Sequence, residues 1–477
     1  MALPLFISID QEGGTVIRIG EGVTVFPGNM ALGALGREQE AYQAGRAMAI
    51  ELAELGFNMN LAPVLDVNNN PANPIIGIRS YGEDPETVSR LGVATIKGMQ
   101  DAGILATAKH FPGHGDTAAD SHLSLPLVPH GWERLDAIEL KPFRAAIANG
   151  VACIMTAHVV FPAIEPEPGR PATLSWEVLT GLLRNRLGFD GLIMTDCMEM
   201  GAIAANFEIG EATVQAVLAG ADQVLISHSL AKQKLAYEAL MAATESGMLP
   251  LARIDEAVSR ILRRKLELQP QKPKVSLQRY MPLKPREEQG HLELARQIAG
   301  TALTLVRNDK QVLPLRLPDE AEVRIISFQK PLTVVETHDG VEVDLAGIFG
   351  RYHAKMNQTV LAADPDASTR QELIATLGAQ PPALLIVASQ DAGSNPGQAD
   401  LVRQLGQQGI PTVVIALRTP YDLAVFPEVD TYVTAYGFRR VTLEALAQLL
   451  WGEMIPGGKL PVEIPGLYPV GYGMEHF

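Results

Sequence analysis

Six short, continuous apolar runs, at residues 5–9, 57–61, 104–108, 152–156, 192–195 and 223–226, punctuate the first half of the chain. Each is rich in Leu or β-branched residues, the composition of strands buried on both faces. Between them, residues 37–55, 85–101, 176–187 and 210–219 have the spacing of amphipathic helices. Strand alternating with helix implies parallel β/α units, which close into a barrel or lie open as a doubly wound sheet. The polar residues separate these two. Asp10, Asp66, Lys109 with His110, His158 and Asp196 each stand at or just past the carboxyl end of a run. In a TIM barrel those ends converge on one face and build the active site. A Rossmann sheet would carry a glycine-rich phosphate loop after its first strand, where this sequence has Asp10-Gln-Glu-Gly-Gly14. Six runs, against the eight strands of a closed barrel, predict an α/β, (β/α)8 TIM-like barrel that is N-terminally truncated or irregular.

A charged helical stretch at 252–268 ends this region, and a Pro- and Lys-punctuated linker begins at residue 269. Beyond it, runs at 302–306, 323–327, 383–387, 413–417 and 431–435 read as strands, with helices at 368–377, 400–407 and 443–450. The division expected is a barrel-like catalytic domain over 1–268, a linker over 269–285 and a smaller α/β sandwich domain over 286–477.

Hydrophobic residues make up 47% of the 477 and charged residues 19%, enough apolar material for sizeable cores without metal or disulfide staples. The formal charge of −15 repels phosphate backbones, so nucleic acid is not an expected partner. The two cysteines, Cys153 and Cys197, lie inside apolar runs and form no disulfide framework. No apolar stretch reaches the ~18 residues of a membrane span, and the first ten residues lack the basic start of a signal peptide. A cytoplasmic location is the expectation from these features.

Chemistry is densest in Lys109-His-Phe-Pro-Gly-His-Gly-Asp-Thr-Ala-Ala-Asp-Ser-His122, where three His, two Asp and a Lys fall within fourteen residues. A strand ends at its start and Gly and Pro forbid a continuous helix, so these groups overhang the barrel mouth. Three readings stand side by side. The loop caps its own turns; or His110, His114, Asp116, Asp120 and His122 hold a metal, although no helical ligand pair is present; or Asp120 and His122 form a dyad. In the dyad the carboxylate fixes the imidazole tautomer and leaves the other ring nitrogen to exchange protons. Gly113 and Gly115 predict freedom of movement for this loop. Asp196 ends an apolar strand, as a barrel nucleophile or base would, and it also fits an N-cap. Asp10 with Arg18, and Arg79 in a glycine-flanked loop, suit a polyhydroxylated ligand or surface ion pairs. Residues 452–459 approach a phosphate-binding loop but place Gly458 where its Lys should be. Residues 66–70 begin like a calcium loop, yet Pro71 replaces the required Gly.

Taken together, Asp10-Gln-Glu-Gly-Gly14, the 109–122 loop with Asp120-Ser-His122, and Thr195-Asp196 resemble glycoside hydrolase family 3, in particular its β-N-acetylglucosaminidase (NagZ-type) branch. Thr301-Ala-Leu-Thr-Leu-Val306 and Gly457-Gly-Lys-Leu-Pro461 resemble the second domain of the two-domain members. The family's β-glucosidases share the Lys-His-Phe start but take their acid/base from a Glu of the second domain. The resemblance implies Asp196 as nucleophile, His122 as general acid/base and Asp120 as its partner. It implies Asp10, Arg18, Arg79, Lys109 and His110 as sugar-binding residues, with His158 lining the same pocket, and no cofactor or metal. The activity it implies is retaining, exo-acting hydrolysis of terminal β-linked N-acetylglucosamine through a glycosyl-enzyme intermediate. The substrates would be N-acetylglucosaminides, such as muropeptide or chitooligosaccharide fragments. A phosphorylase or a β-glucosidase-like activity are the alternatives within enzymes. A carbohydrate-binding protein impaired by missing N-terminal units is the alternative from another class.

Overall fold

The structure is a computed structural model, and it describes residues 3–122, 124–268, 290–329 and 343–477. The linker over 269–285 and the start at 286 lie outside the described residues. The contacts divide the chain into two units. Among described residues, the first comprises those up to Glu12, Ala41–Ser80 and those from Asp84 to Leu268. The second comprises Gly13–Glu40, Tyr81–Glu83 and the residues from Gly290 onward.

In the first unit six strands are parallel and joined in chain order, the wall of a TIM-like barrel. They are β1 (Ser8–Ile9), β2 (Met59–Asn60), β3 (Leu105–Phe111), β4 (Cys153–Thr156), β5 (Leu192–Cys197) and β6 (Gln223–Leu225). Each falls within or beside one of the six apolar runs. Because side chains alternate along a strand, residues two apart share a face, and that face changes character along its length. Phe6, Leu105, Cys153, Met155, Leu192 and Met194 pack into one apolar cluster. Further along the same face stand Lys109, four residues past Leu105, and Asp196, two residues past Met194. The sheet thus buries an apolar floor and delivers charged groups at its carboxyl ends.

Helix Pro85–Asp101 illustrates how the sequence sets an element. Pro85 occupies its first turn, and the Asp84 carboxylate accepts from the amides of Glu86 and Thr87, a pairing that satisfies otherwise orphaned donors. Val88, Leu91, Ile96 and Met99 form its buried side. At Gly98 the neighbouring helix comes so close that an added Cβ would stand 2.1 Å from the Tyr42 carbonyl oxygen. The run at 176–187 folds as a helix over Glu177–Arg186, wound in π-type turns.

In the second unit a six-stranded sheet has the order β7-β12-β11-β10-β8-β9. These strands are β7 (Thr304–Asn308), β8 (Val323–Gln329), β9 (Met356–Ala362), β10 (Leu384–Ser389), β11 (Thr412–Ala416) and β12 (Thr431–Thr434). All neighbours are parallel except β7 and β12. Five of these strands coincide with apolar runs. The sixth, β9, has no such run: Asn357, Gln358 and Thr359 interrupt it, and an edge strand with half-exposed residues does not need a continuous apolar sequence.

Candidate active site

Near the carboxyl ends of β1 and β3, four charged side chains, three buried and Asp10 half-buried, form one chain of ion pairs. Lys109 Nζ lies 2.9 Å from Asp10 Oδ1 and 2.7 Å from Glu12 Oε1. Glu12 also receives the Arg79 guanidinium through two bonds, Nε at 3.0 Å and Nη2 at 2.8 Å. Burial pulls the Glu12 carboxyl upward, but Arg79 and Lys109 hold it well below the usual carboxylate range. Arg79 and Lys109 are raised in turn, against the downward pull of their own burial. Glu12 escaped the sequence reading although it shares a motif with Asp10. Its signal was its spacing, since two residues further along extended backbone is the same face. Arg18 lies on Gly13–Glu40, a segment whose contacts belong to the second unit.

His110 is oriented by Asp66. The Asp66 carboxylate is wholly buried and accepts from the His110 ring Nδ1 at 2.7 Å, the His110 amide at 3.3 Å and the His114 amide at 2.6 Å. These donors and the nearby histidines lower the Asp66 carboxyl although burial, the largest influence, raises it. With Nδ1 committed, His110 presents Nε2 at 4.0 Å from Asp196 Oδ2. Asp196 accepts the Cys197 amide at 2.7 Å. Burial raises its carboxyl, but His110, His158, that amide and Lys109 more than reverse this and hold it ionised.

His158 is buried with both ring nitrogens engaged. Its Nε2 donates to the Cys197 carbonyl at 3.0 Å, and Nδ1 is 2.8 Å from Thr173 Oγ1. Burial lowers its pKa, so the neutral ring bonds through Nε2–H. The Thr173 hydroxyl that meets Nδ1 is itself anchored, donating to the Ala157 carbonyl at 3.0 Å. His158 therefore braces the backbone of the residue that follows Asp196. Thr173 carried no sequence signal.

The 109–122 loop divides its polar groups among separate partners. His114 is buried, with Nδ1 2.8 Å from Thr117 Oγ1 and Nε2 2.9 Å from Ser121 Oγ. Asp116 pairs with His130 at 2.6 Å and Arg134 at 3.2 Å. Asp120 Oδ1 lies 2.7 Å from His122 Nδ1 and accepts the His122 amide at 2.8 Å. The two contacts lock the imidazole against its own turn, with Nε2 left for exchange. Burial raises the Asp120 carboxyl, and the bonds from the His122 ring and amide bring it below its ordinary value. The carbonyls of Ser121 and His122 accept the amides of Ala202 and Gly201, which opens the short helix after Asp196. These bonds tie the loop that carries the dyad to the segment that follows Asp196. The glycines serve close approach: a Cβ at Gly115 would meet the Val67 carbonyl oxygen at 1.8 Å, and one at Gly113 would meet Glu139.

An ionised carboxylate, an oriented His–Asp pair and a buried charge network at barrel strand ends are the equipment of a glycoside-cleaving enzyme. The family model described as the glycosyl hydrolase family 3 N terminal domain matches residues 1–264, and that of the family's C-terminal domain matches residues 303–468. The chain belongs to glycoside hydrolase family 3. It is 34% identical to a protein of Pseudoalteromonas piscicida named beta-hexosaminidase A, covering 97% of this chain and 83% of that one. It is 29% identical to a beta-N-acetylglucosaminidase/beta-glucosidase of Cellulomonas fimi, over 97% and 84% of the two chains. The solved structure of a family 3 beta-N-acetylglucosaminidase from Paenibacillus sp. superposes with a TM-score of 0.90 at 42% identity, over 97% and 87%.

Proposed function

We propose that the protein is a retaining, exo-acting β-N-acetylglucosaminidase in which Asp196 is the nucleophile and the Asp120–His122 pair the acid/base. The observation that carries this reading is the 2.7 Å contact between Asp120 and the His122 ring, on a loop bonded to the residues just past Asp196. The resemblance to a beta-hexosaminidase and to enzymes named beta-N-acetylglucosaminidase supports this choice of sugar. In the first step Asp196 attacks the anomeric carbon while His122, protonated on both nitrogens and stabilised by Asp120, gives its Nε2 proton to the leaving oxygen. His122 is then neutral, with Nδ1–H still bound to Asp120, and its bare Nε2 takes a proton from the incoming water as the glycosyl ester is cleaved. Asp10, held by Lys109, is placed to accept sugar hydroxyls. Lys109 donates to them and His110 offers its bare Nε2 as an acceptor, with Glu12 and Asp66 fixing their positions. Arg79 acts within the same network through Glu12.

Two variants test the assignment. Asp196→Ala removes the attacking atom, so turnover collapses for every substrate. His122→Ala removes only proton transfer, so a dinitrophenyl N-acetylglucosaminide still loads the enzyme, gives a burst and stalls, and azide rescues it as the β-glycosyl azide. Parental rates for His122→Ala on both activated and poor substrates would refute the role of His122. Running the parent with and without inorganic phosphate separates hydrolysis from phosphorolysis, because a neutral His does not repel an anionic acceptor as a Glu would.

A further inference from the structure

The turn after β5 holds a second group of chemically able side chains that the proposed reaction does not use. Met198 donates its amide to the Leu225 carbonyl at 2.9 Å, which ties this turn to the end of β6. Glu199 Oε2 accepts the amides of His228 at 2.6 Å and Ser229 at 3.3 Å. These bonds clamp the two strand ends together. As a result one ligating atom each from Cys197, Glu199 and His228 lies within 4.8 Å of the others. The charged group facing them is Lys232, whose Nζ stands 3.5 Å from Glu199 Oε1 on a side chain that is 41% exposed and free to swing into solvent.

We propose that Cys197, Glu199 and His228 form a binding site for a zinc-class divalent ion. A thiolate beside an imidazole and a carboxylate selects borderline-soft metals over magnesium or calcium, which prefer all-oxygen sites. Three protein ligands leave one tetrahedral position for water. The Cys197 thiol gives up its proton to solvent on coordination, and Lys232 yields its place at Glu199 to the ion. The site adjoins the nucleophile through the backbone. The Cys197 amide donates to Asp196 Oδ1 and its carbonyl accepts from His158, so a metal that draws on the Cys197 side chain disturbs both contacts. Occupation therefore slows turnover. This consequence rests on the reading of Asp196 as nucleophile; the metal binding does not.

The test titrates the chelator-dialysed full chain with cobalt(II) and follows the thiolate-to-cobalt charge-transfer band in the near ultraviolet, with zinc counted by equilibrium dialysis. The parent is expected to show the band and bind one zinc. Cys197→Ser should abolish the band, and Cys197→Ser, His228→Ala and His228→Gln should each lose at least tenfold in zinc affinity. Asp120→Asn and His122→Ala should keep the band. Circular dichroism and thermal melts of the variants establish that each is folded. No band in the parent, or zinc held equally by Cys197→Ser and His228→Ala, would overturn the site. So would an ion retained in Cys197→Ser but lost in His122→Ala, which would put it on the dyad. Added zinc should slow the parent on an aryl N-acetylglucosaminide and leave Cys197→Ser unslowed. A chain that shows the band but never cleaves that substrate would refute the proposed function and spare the metal site.

Discussion

Asp66 and His114 do their work from inside the protein. A wholly buried carboxylate is costly unless its lone pairs are satisfied, and Asp66 is satisfied by the His110 ring and two amides. Asp66→Asn keeps the shape but removes the charge and offers one acceptor oxygen. We expect a loss of ~2 kcal/mol in unfolding free energy, the scale of a hydrogen bond to a charged group, read by urea denaturation. kcat should fall with it, as His110 loses its fixed tautomer. His114 makes a pH prediction. Burial pushes it down to about 4, from 6.5 in an unfolded chain. Between those values the unfolded state binds the proton and the folded state does not, so stability falls as pH falls from 6.5 to 4 and this contribution levels off below. The contribution is about 3 kcal/mol across that window. Denaturation at several pH values should show this slope in the parent and a shallower one in His114→Gln.

The elements that carry the chemistry are short strands and one folded loop, and the loop is governed by backbone packing. Gly113 and Gly115 invite the expectation of a hinge, yet Gly115 sits where a side chain would collide with the carbonyl of Val67. Gly115→Ala must displace the loop that carries Asp120 and His122. A shift of about 1 Å in a catalytic group can cost ~10²-fold, so kcat/KM should drop on that scale while circular dichroism stays parental. Gly406→Ala is the control: this residue closes helix Pro396–Gly406 and nothing lies within 4 Å of its added Cβ, so stability and activity should be nearly unchanged. The same contrast explains what periodicity missed. Continuous apolar composition marked six runs because barrel strands are buried on both faces, whereas β9, half-exposed at a sheet edge, left no apolar trace.

For the whole molecule, the decisive question is which unit supplies the proton. If the Asp120–His122 pair does, no glutamate of the second unit is a general acid. Replacing each of them by Gln, one at a time, should leave turnover of a poor-leaving-group substrate within tenfold. A loss of ~10³-fold from any one, the reach of general acid catalysis, would assign the acid to that unit. The parallel α/β architecture, the two family 3 regions and the identities of the polar groups at the strand ends were all legible from the sequence. Burial pattern and strand-end position are local properties of a chain, and short motifs record them. What the tertiary structure alone decided is partnership. Asp66 meets His110 and His114 from 44 and 48 residues away, Glu12 meets Arg79 from 67, and His158 meets the Cys197 carbonyl from 39. Gly13–Glu40, which carries Arg18, likewise makes its contacts with the second unit, although it lies between two strands of the first in sequence. Such pairings depend on how strands and loops pack against one another, and no spacing along the chain encodes them.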